Sequence, residues 1–209
     1  MSILETCNMS YSYGGNKTVL RKISAAFEAG KIYAILGPSG CGKTTLLSLL
    51  GGLDSPSEGQ VLYQGEDIRK KGLAWHRKHN AAFIFQSYNL IDYMTAAENV
   101  ALTSGVPPLP VLERLGLTRE EAGRNVLRLS GGQQQRVAIA RALARDAGIL
   151  LADEPTGNLD EDTAVEIMGI LEECAHRMNQ CVIMVTHATE LTKQADVVYR
   201  LKKGELQKI

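Results

Sequence analysis

Lys43 and Thr44 close the run Gly37-Pro38-Ser39-Gly40-Cys41-Gly42-Lys43-Thr44, whose spacing fits the phosphate-binding pattern G-x-x-x-x-G-K-[ST]. The chemistry this allows is the holding of a polyphosphate. Gly37, Gly40 and Gly42 let backbone amides turn inward on an anion without side-chain crowding. Lys43 brings an ammonium to the β- and γ-phosphates, and the Thr44 hydroxyl, with Thr45 beside it, is placed for Mg²⁺. Asp153 and Glu154 supply carboxylates. Asp153 is the Mg²⁺-side acid, acting through bound water, and Glu154 points elsewhere, as acceptor of a proton from an attacking water. Ser130-Gly131-Gly132 opens a second stretch, helix-like over Gln133 to Ala144, whose first amides offer another phosphate site. A flexible linker is the plain reading of Ser-Gly-Gly, but Val137, Ile139, Ala140 and Leu143 in a Gln- and Ala-rich continuation favour a helix. A chain that already has one such site needs the second for another γ-phosphate.

The elements that must position these groups follow from periodicity and punctuation. Ile32 to Leu36 reads as a strand leading into the glycine loop, and Thr44 to Leu50 as a helix leading out. Three further strand-like runs, Ala81 to Phe85, Ile149 to Ala152 and Cys181 to Val185, end at Gln86, Asp153 and His187. The carboxyl ends of parallel strands are where ligands of open sheets gather. Ala164, Ile167, Met168, Leu171, Ala175 and Met178 recur at helical spacing between two of these strands. Residues up to Glu28 read as short antiparallel strands, Gln60 to Ile68 as a hairpin, and Val197 to Leu206 as a terminal hairpin. Pro107-Pro108-Leu109-Pro110 reads as a break before a helix-like Val111 to Leu115.

These residues resemble the nucleotide-binding subunit of ATP-binding-cassette transporters. Leu129-Ser130-Gly131-Gly132-Gln133 matches the family signature, Gln86 its glutamine loop, Asn158-Leu159-Asp160 its dimer-contact loop and His187 its switch histidine. Tyr13, before Gly14-Gly15, looks like the aromatic on which adenine stacks, with Tyr11 open as its competitor on the same strand face. The resemblance implies an α/β fold: a P-loop NTPase core with a mostly parallel sheet, an N-terminal antiparallel β subdomain and a short helical signature subdomain. It further implies one ATPase domain over 1–209, with 1–86 and 146–209 as catalytic core and 87–145 as the helical unit. Catalysis falls to Glu154, His187 and Lys43. ATP falls to Tyr13, Gly37 through Thr45, Gln86, Ser130 through Gln133 and Asp160, and Mg²⁺ to Thr44, Gln86 and Asp153. Two ATP molecules would be sandwiched in a head-to-tail homodimer, the signature of one subunit closing on the Lys43 loop of the other. Gly51-Gly52-Leu53-Asp54, Tyr88-Asn89-Leu90 and Glu98-Asn99-Val100 look most like the branch of macrolide exporters, lipoprotein-release complexes, antimicrobial-peptide transporters and the cell-division ATPase. Export or extraction of a peptide or lipophilic compound by a separate membrane permease is the leading implication. Force transmission to the cell envelope is the alternative, and a non-transport ATPase comes third.

Tyr88, Leu90, Ile91, Tyr93 and Met94 either pack internally or line a groove for the permease near residues 86–100. Only Ala101 to Arg128 separates Glu98-Asn99-Val100 from the signature, short for the family's helical subdomain. The chain of 209 residues, 44% hydrophobic, can bury a sizeable core, and its formal net charge of zero gives no bulk attraction to nucleic acid. The start Met1-Ser2-Ile3-Leu4-Glu5 lacks a secretory pattern, so the chain is expected to remain in the cytosol; the resemblance implies peripheral attachment at the cytoplasmic face of the membrane. Cys7, Cys41, Cys174 and Cys181 show no C-x-x-C spacing and support neither a metal site nor a disulfide framework.

Overall fold

The structure is a computed structural model and describes residues 2–14, 17–103, 105–157 and 159–209. In chain order its elements are β1 (Ser2–Tyr13), β2 (Lys17–Glu28), β3 (Ile32–Leu36), α1 (Lys43–Leu50), β4 (Glu58–Tyr63), β5 (Glu66–Asp67), α2 (Leu73–His79) and β6 (Ala81–Ile84). There follow α3 (Ala96–Ala101), α4 (Pro108–Arg114), α5 (Arg119–Ala122), α6 (Gly131–Leu143), β7 (Ile149–Asp153), α7 (Glu161–His176), β8 (Cys181–Thr186), β9 (Val197–Lys202) and β10 (Glu205–Lys208).

The central sheet runs β10-β9-β3-β8-β7-β6, parallel throughout except for the β9–β10 hairpin. Strands covered on both faces read as unbroken apolar runs, and β7 and β8 are buried along their whole length. Side chains alternate between faces. Ile32, Ala34, Leu150, Ala152, Val182 and Met184 pack into one cluster with α7 and the helices α3, α4 and α6. Tyr33, Ile35, Ile149, Leu151, Ile183 and Val185 face the other way, onto α1 and the antiparallel sheet β2-β1-β4-β5. Each fully buried Leu, Ile or Met in these layers is worth about 1.5–3 kcal/mol of transfer free energy, so the loops between strand ends and helices rest on a rigid base.

The structure differs from the sequence expectations at several ends. The N-terminal strands are not short: β1 and β2 each run 12 residues, accommodated by bulges. The proline run is not a break but the start of α4, with Pro108 and Pro110 in its first turn, where a missing N–H forfeits no helical bond. α6 begins at Gly131, two residues before Gln133, because Ser130 and Gln133 form a reciprocal cap that outweighs the poor propensity of two glycines. Met178 lies beyond the end of α7 and is exposed, so it is not part of that helix's buried stripe.

Candidate phosphate-binding site

β3 ends at Leu36 and α1 begins at Lys43, leaving residues 37–42 as the loop between them. Gly42 is the helix N-cap at φ +105°, a backbone that side chains rarely adopt; a Cβ there would also stand 2.8 Å from Val19 Cγ1. No side chain caps α1, and its first turn carries no acidic residue. By contrast, α3, α5 and α6 each close their first turn with a capping box. The α1 amides and the positive end of its dipole are thus free for an anion. Lys43 is buried and folds over the loop, donating to the Gly37 carbonyl at 2.8 Å and to the Pro38 carbonyl at 3.3 Å.

Two strand ends deliver the carboxylates. Asp153, the last residue of β7, is buried and hydrogen-bonded to Thr44. Burial pushes its carboxyl above the usual range, with the Thr44 bond opposing and Glu154 adding to the rise. Glu154 sits at φ +46°, a strained backbone for a residue with a side chain, while its N–H stays tied to the Val185 carbonyl at 3.0 Å. That conformation brings its carboxylate into a ring of three partners: Lys43 Nζ at 3.7 Å, His187 Nδ1 at 3.1 Å, and Gln86 Nε2, which donates at 3.1 Å. The four groups come from the ends of β6, β7 and β8 and the start of α1, and strand order makes these ends neighbours.

A cavity of about 350 Å³ opens over this ring. It is lined by Tyr13, Ser39, Gly40, Gly42, Lys43, Thr44, Thr45, Gln86 and Glu154 among the expected residues, and by Lys17 and Val19, which sequence reading missed. The hairpin register brings them there, with Lys17 paired directly to Tyr13. The two tyrosines are also told apart. Tyr11 is buried and donates to the Asp54 carboxylate, which is the main cause of its pKa being pushed up to about 12. Tyr13 is 56% exposed at the cavity wall, its hydroxyl 3.1 Å from Thr45 Oγ1.

Ser130, Gly131, Gly132, Gln133 and Asp160 do not line this cavity. Ser130 Oγ accepts from the Gln133 N–H at 3.2 Å and Gln133 Oε1 accepts from the Ser130 N–H at 2.9 Å. The Ser130 hydroxyl proton remains available to an outside acceptor. Asp160 caps α7, accepting from the Thr163 N–H and hydroxyl at 2.9 Å each, and the Thr163 N–H foremost holds its carboxyl below the usual range. Pro38 is exposed, and Cys41 faces a neighbouring cavity. Gly15 and Asn158 lie outside the described residues.

The family model described as ABC transporter matches residues 20–157. The chain is 43% identical over 215 residues to the "Uncharacterized ABC transporter ATP-binding protein YclH" of Bacillus subtilis, covering 98% of this chain and 95% of that one. It is 44% identical over 203 residues to the "Macrolide export ATP-binding/permease protein MacB 2" of Aeromonas hydrophila, covering 91% of this chain but only 31% of that longer protein. The dimeric structure of MJ0796, titled a bacterial ABC transporter cassette, superposes with a TM-score of 0.89 at 34% identity, covering 98% of each chain. A post-hydrolysis dimer of MJ0796 bound to ADP and Pi superposes at 0.86.

Proposed function

Since the chain belongs to the ABC transporter family, we propose that it is the ATP-hydrolysing subunit of an exporter, working as a head-to-tail homodimer and driving a separate permease. The observation that carries the chemistry is the Glu154 carboxylate, held at the cavity by Lys43, Gln86 and His187. Lys43 and the free amides of α1 bind and orient the phosphates of ATP, and Tyr13 offers its exposed ring to adenine. Thr44, Gln86 and Asp153 form an oxygen donor set of hydroxyl, amide carbonyl and carboxylate, which suits Mg²⁺; the ion, when bound, neutralises charge on the β- and γ-phosphates. Glu154 takes the proton of the attacking water, and His187, on the same carboxylate, orients both. The separation of Ser130 through Gln133 from their own cavity supports a composite site, in which these residues serve ATP held by the other subunit.

A groove of about 250 Å³, lined by Phe83, Phe85, Asn89, Leu102, Thr103 and Arg141, suits a permease helix. Leu102 is 52% exposed there. Of the apolar cluster after Gln86, Leu90 packs on the core and Tyr93 is 80% exposed, while none of Tyr88, Leu90, Ile91, Tyr93 and Met94 lines this groove. Among the described residues no helix is long and apolar enough to cross a membrane, and membrane association would come through the permease, at the cytoplasmic face. The likeness to a protein named for macrolide export supports a lipophilic compound as cargo, with a peptide as the other candidate. The test is affinity purification of tagged Glu154→Gln protein from mildly solubilised native membranes with Mg-ATP, followed by mass spectrometry. A stoichiometric permease supports this reading. Ribosomes or nucleic acid without a permease overturn it.

A further inference from the structure

The chain balances 23 Lys and Arg against 23 Asp and Glu, yet one face breaks that balance. A second cavity, of about 540 Å³, adjoins the phosphate-loop cavity and shares Lys17, Val19 and Gly40 with it. Its walls carry the cations Lys17, Arg21, Lys202 and Lys203 against the single carboxylate of Glu205. None of the four is ion-paired among the described residues, whereas Lys31, Lys70, Lys71, Arg69, Arg114 and Arg124 each have an acidic partner.

The backbone fixes these charges in place. Lys202 pairs with Glu205, so Lys203 and Gly204 form the two-residue turn of the β9–β10 hairpin, at φ +53° and +83°. That geometry ordinarily takes Asn-Gly, and a lysine there carries a steric penalty that asparagine avoids. The tip is clamped onto β2: the Arg21 N–H donates to the Gly204 carbonyl at 2.8 Å, and a Cβ on Gly204 would stand 2.6 Å from the Val19 carbonyl oxygen. A lysine in a strained backbone position, on a tip anchored to β2, thus stands at the wall of the second cavity, which adjoins the phosphate loop.

We infer that Arg21, Lys202 and Lys203, with Lys17 at the shared wall, form an anteroom that draws the nucleotide polyphosphate toward the Lys43 loop and speeds its association. The inference rests on the nucleotide reading of the Lys43 cavity. Charged walls beside a cleft focus the field and raise the on-rate of an oppositely charged ligand by 10- to about 1,000-fold in favourable cases, over a range of about 8 Å at physiological salt. Cations outside the seated position act on entry and leave dissociation unchanged.

The test is stopped-flow binding of N-methylanthraniloyl-ATP with Mg²⁺ to wild type, to Lys202→Gln/Lys203→Asn and to the charge-keeping Lys202→Arg/Lys203→Arg. Asparagine suits the turn, so the neutral variant folds. At about 20 mM salt its association rate constant should fall about 3- to 10-fold with the dissociation rate unchanged. The gap should close at about 0.5 M salt, and the arginine pair should restore the rate. Equal association rates at low salt, or a change confined to dissociation, overturn the anteroom while leaving the nucleotide reading intact. Failure of wild type to bind the probe overturns both. Loss of sedimentation with phosphatidylserine vesicles, at unchanged nucleotide rates, assigns the face to lipid phosphate and overturns it too.

Discussion

Replacing Glu154 by Gln keeps the side chain's size and the left-handed backbone and removes one negative charge from the ring around Lys43. If Glu154 takes the proton of the attacking water, the loss is that of a positioned general base, about 10²- to 10⁴-fold in kcat, or roughly 3–5 kcal/mol of barrier. Binding should move the other way. The Glu154 carboxylate stands 3.7 Å from Lys43 Nζ, with the two side chains 11% and 6% exposed. At that spacing the gross attraction is about 4 kcal/mol at an effective dielectric of about 20. Desolvation offsets most of it, leaving a net pair of about 1 kcal/mol that a nucleotide must displace. Freeing Lys43 of this competitor should tighten nucleotide binding up to about fivefold. Phosphate release at saturating Mg-ATP gives kcat, a fluorescent-nucleotide titration gives affinity, and light scattering reports the dimer, which should accumulate with ATP because hydrolysis no longer reopens it. Turnover within tenfold of wild type would remove Glu154 from its role. Binding weakened more than tenfold would show that the carboxylate supports the cavity rather than competing in it.

Ser130→Arg should cut turnover at least about 100-fold, the scale of losing one positioned donor, while nucleotide affinity of the isolated chain stays within about twofold, because Ser130 does not line its own cavity; parallel loss of binding would contradict the composite site. Asp153→Asn tests the buried carboxylate by thermal denaturation across pH. Its native pKa lies above the unfolded one, so between the two the folded chain binds more protons, and ionisation of Asp153 lowers stability as pH rises through that window. The variant should therefore melt higher than wild type at pH 8, lose that gain as pH falls into the carboxylate range, and gain less from Mg-ATP; an unchanged or lower melting temperature at pH 8 without nucleotide would refute it.

The loop and the strand ends were legible because their types are forced locally: glycines where amides must approach an anion, buried apolar runs where strands are covered on both faces. What was not legible depends on pairing between distant segments. That Tyr11 is buried while Tyr13 stands exposed at the cavity turns on Asp54, which takes the Tyr11 hydroxyl from a position 43 residues away. Lys17 and Val19 enter the cavity through the β1–β2 register, which alternation alone leaves free by one residue. The start of α6 was missed because propensity ranks glycine low, while the Ser130–Gln133 cap acts through two side chains at once. Nothing short of the sheet order reveals that Gln86, Lys43 and His187 meet on one carboxylate.

That sheet order also bears on how the chain is made. β3, the strand that feeds the glycine loop, sits between β8 and β9, and neither neighbour begins before Cys181. An emerging polypeptide therefore presents Ile32 to Leu36 without a lateral partner while roughly 150 further residues are synthesised, about 7 to 30 s at typical ribosomal speeds. During that interval an apolar strand with both edges open is prone to pair with other chains. The demand for protection therefore begins as β3 emerges and ends only when β8, the strand that precedes His187, leaves the ribosome.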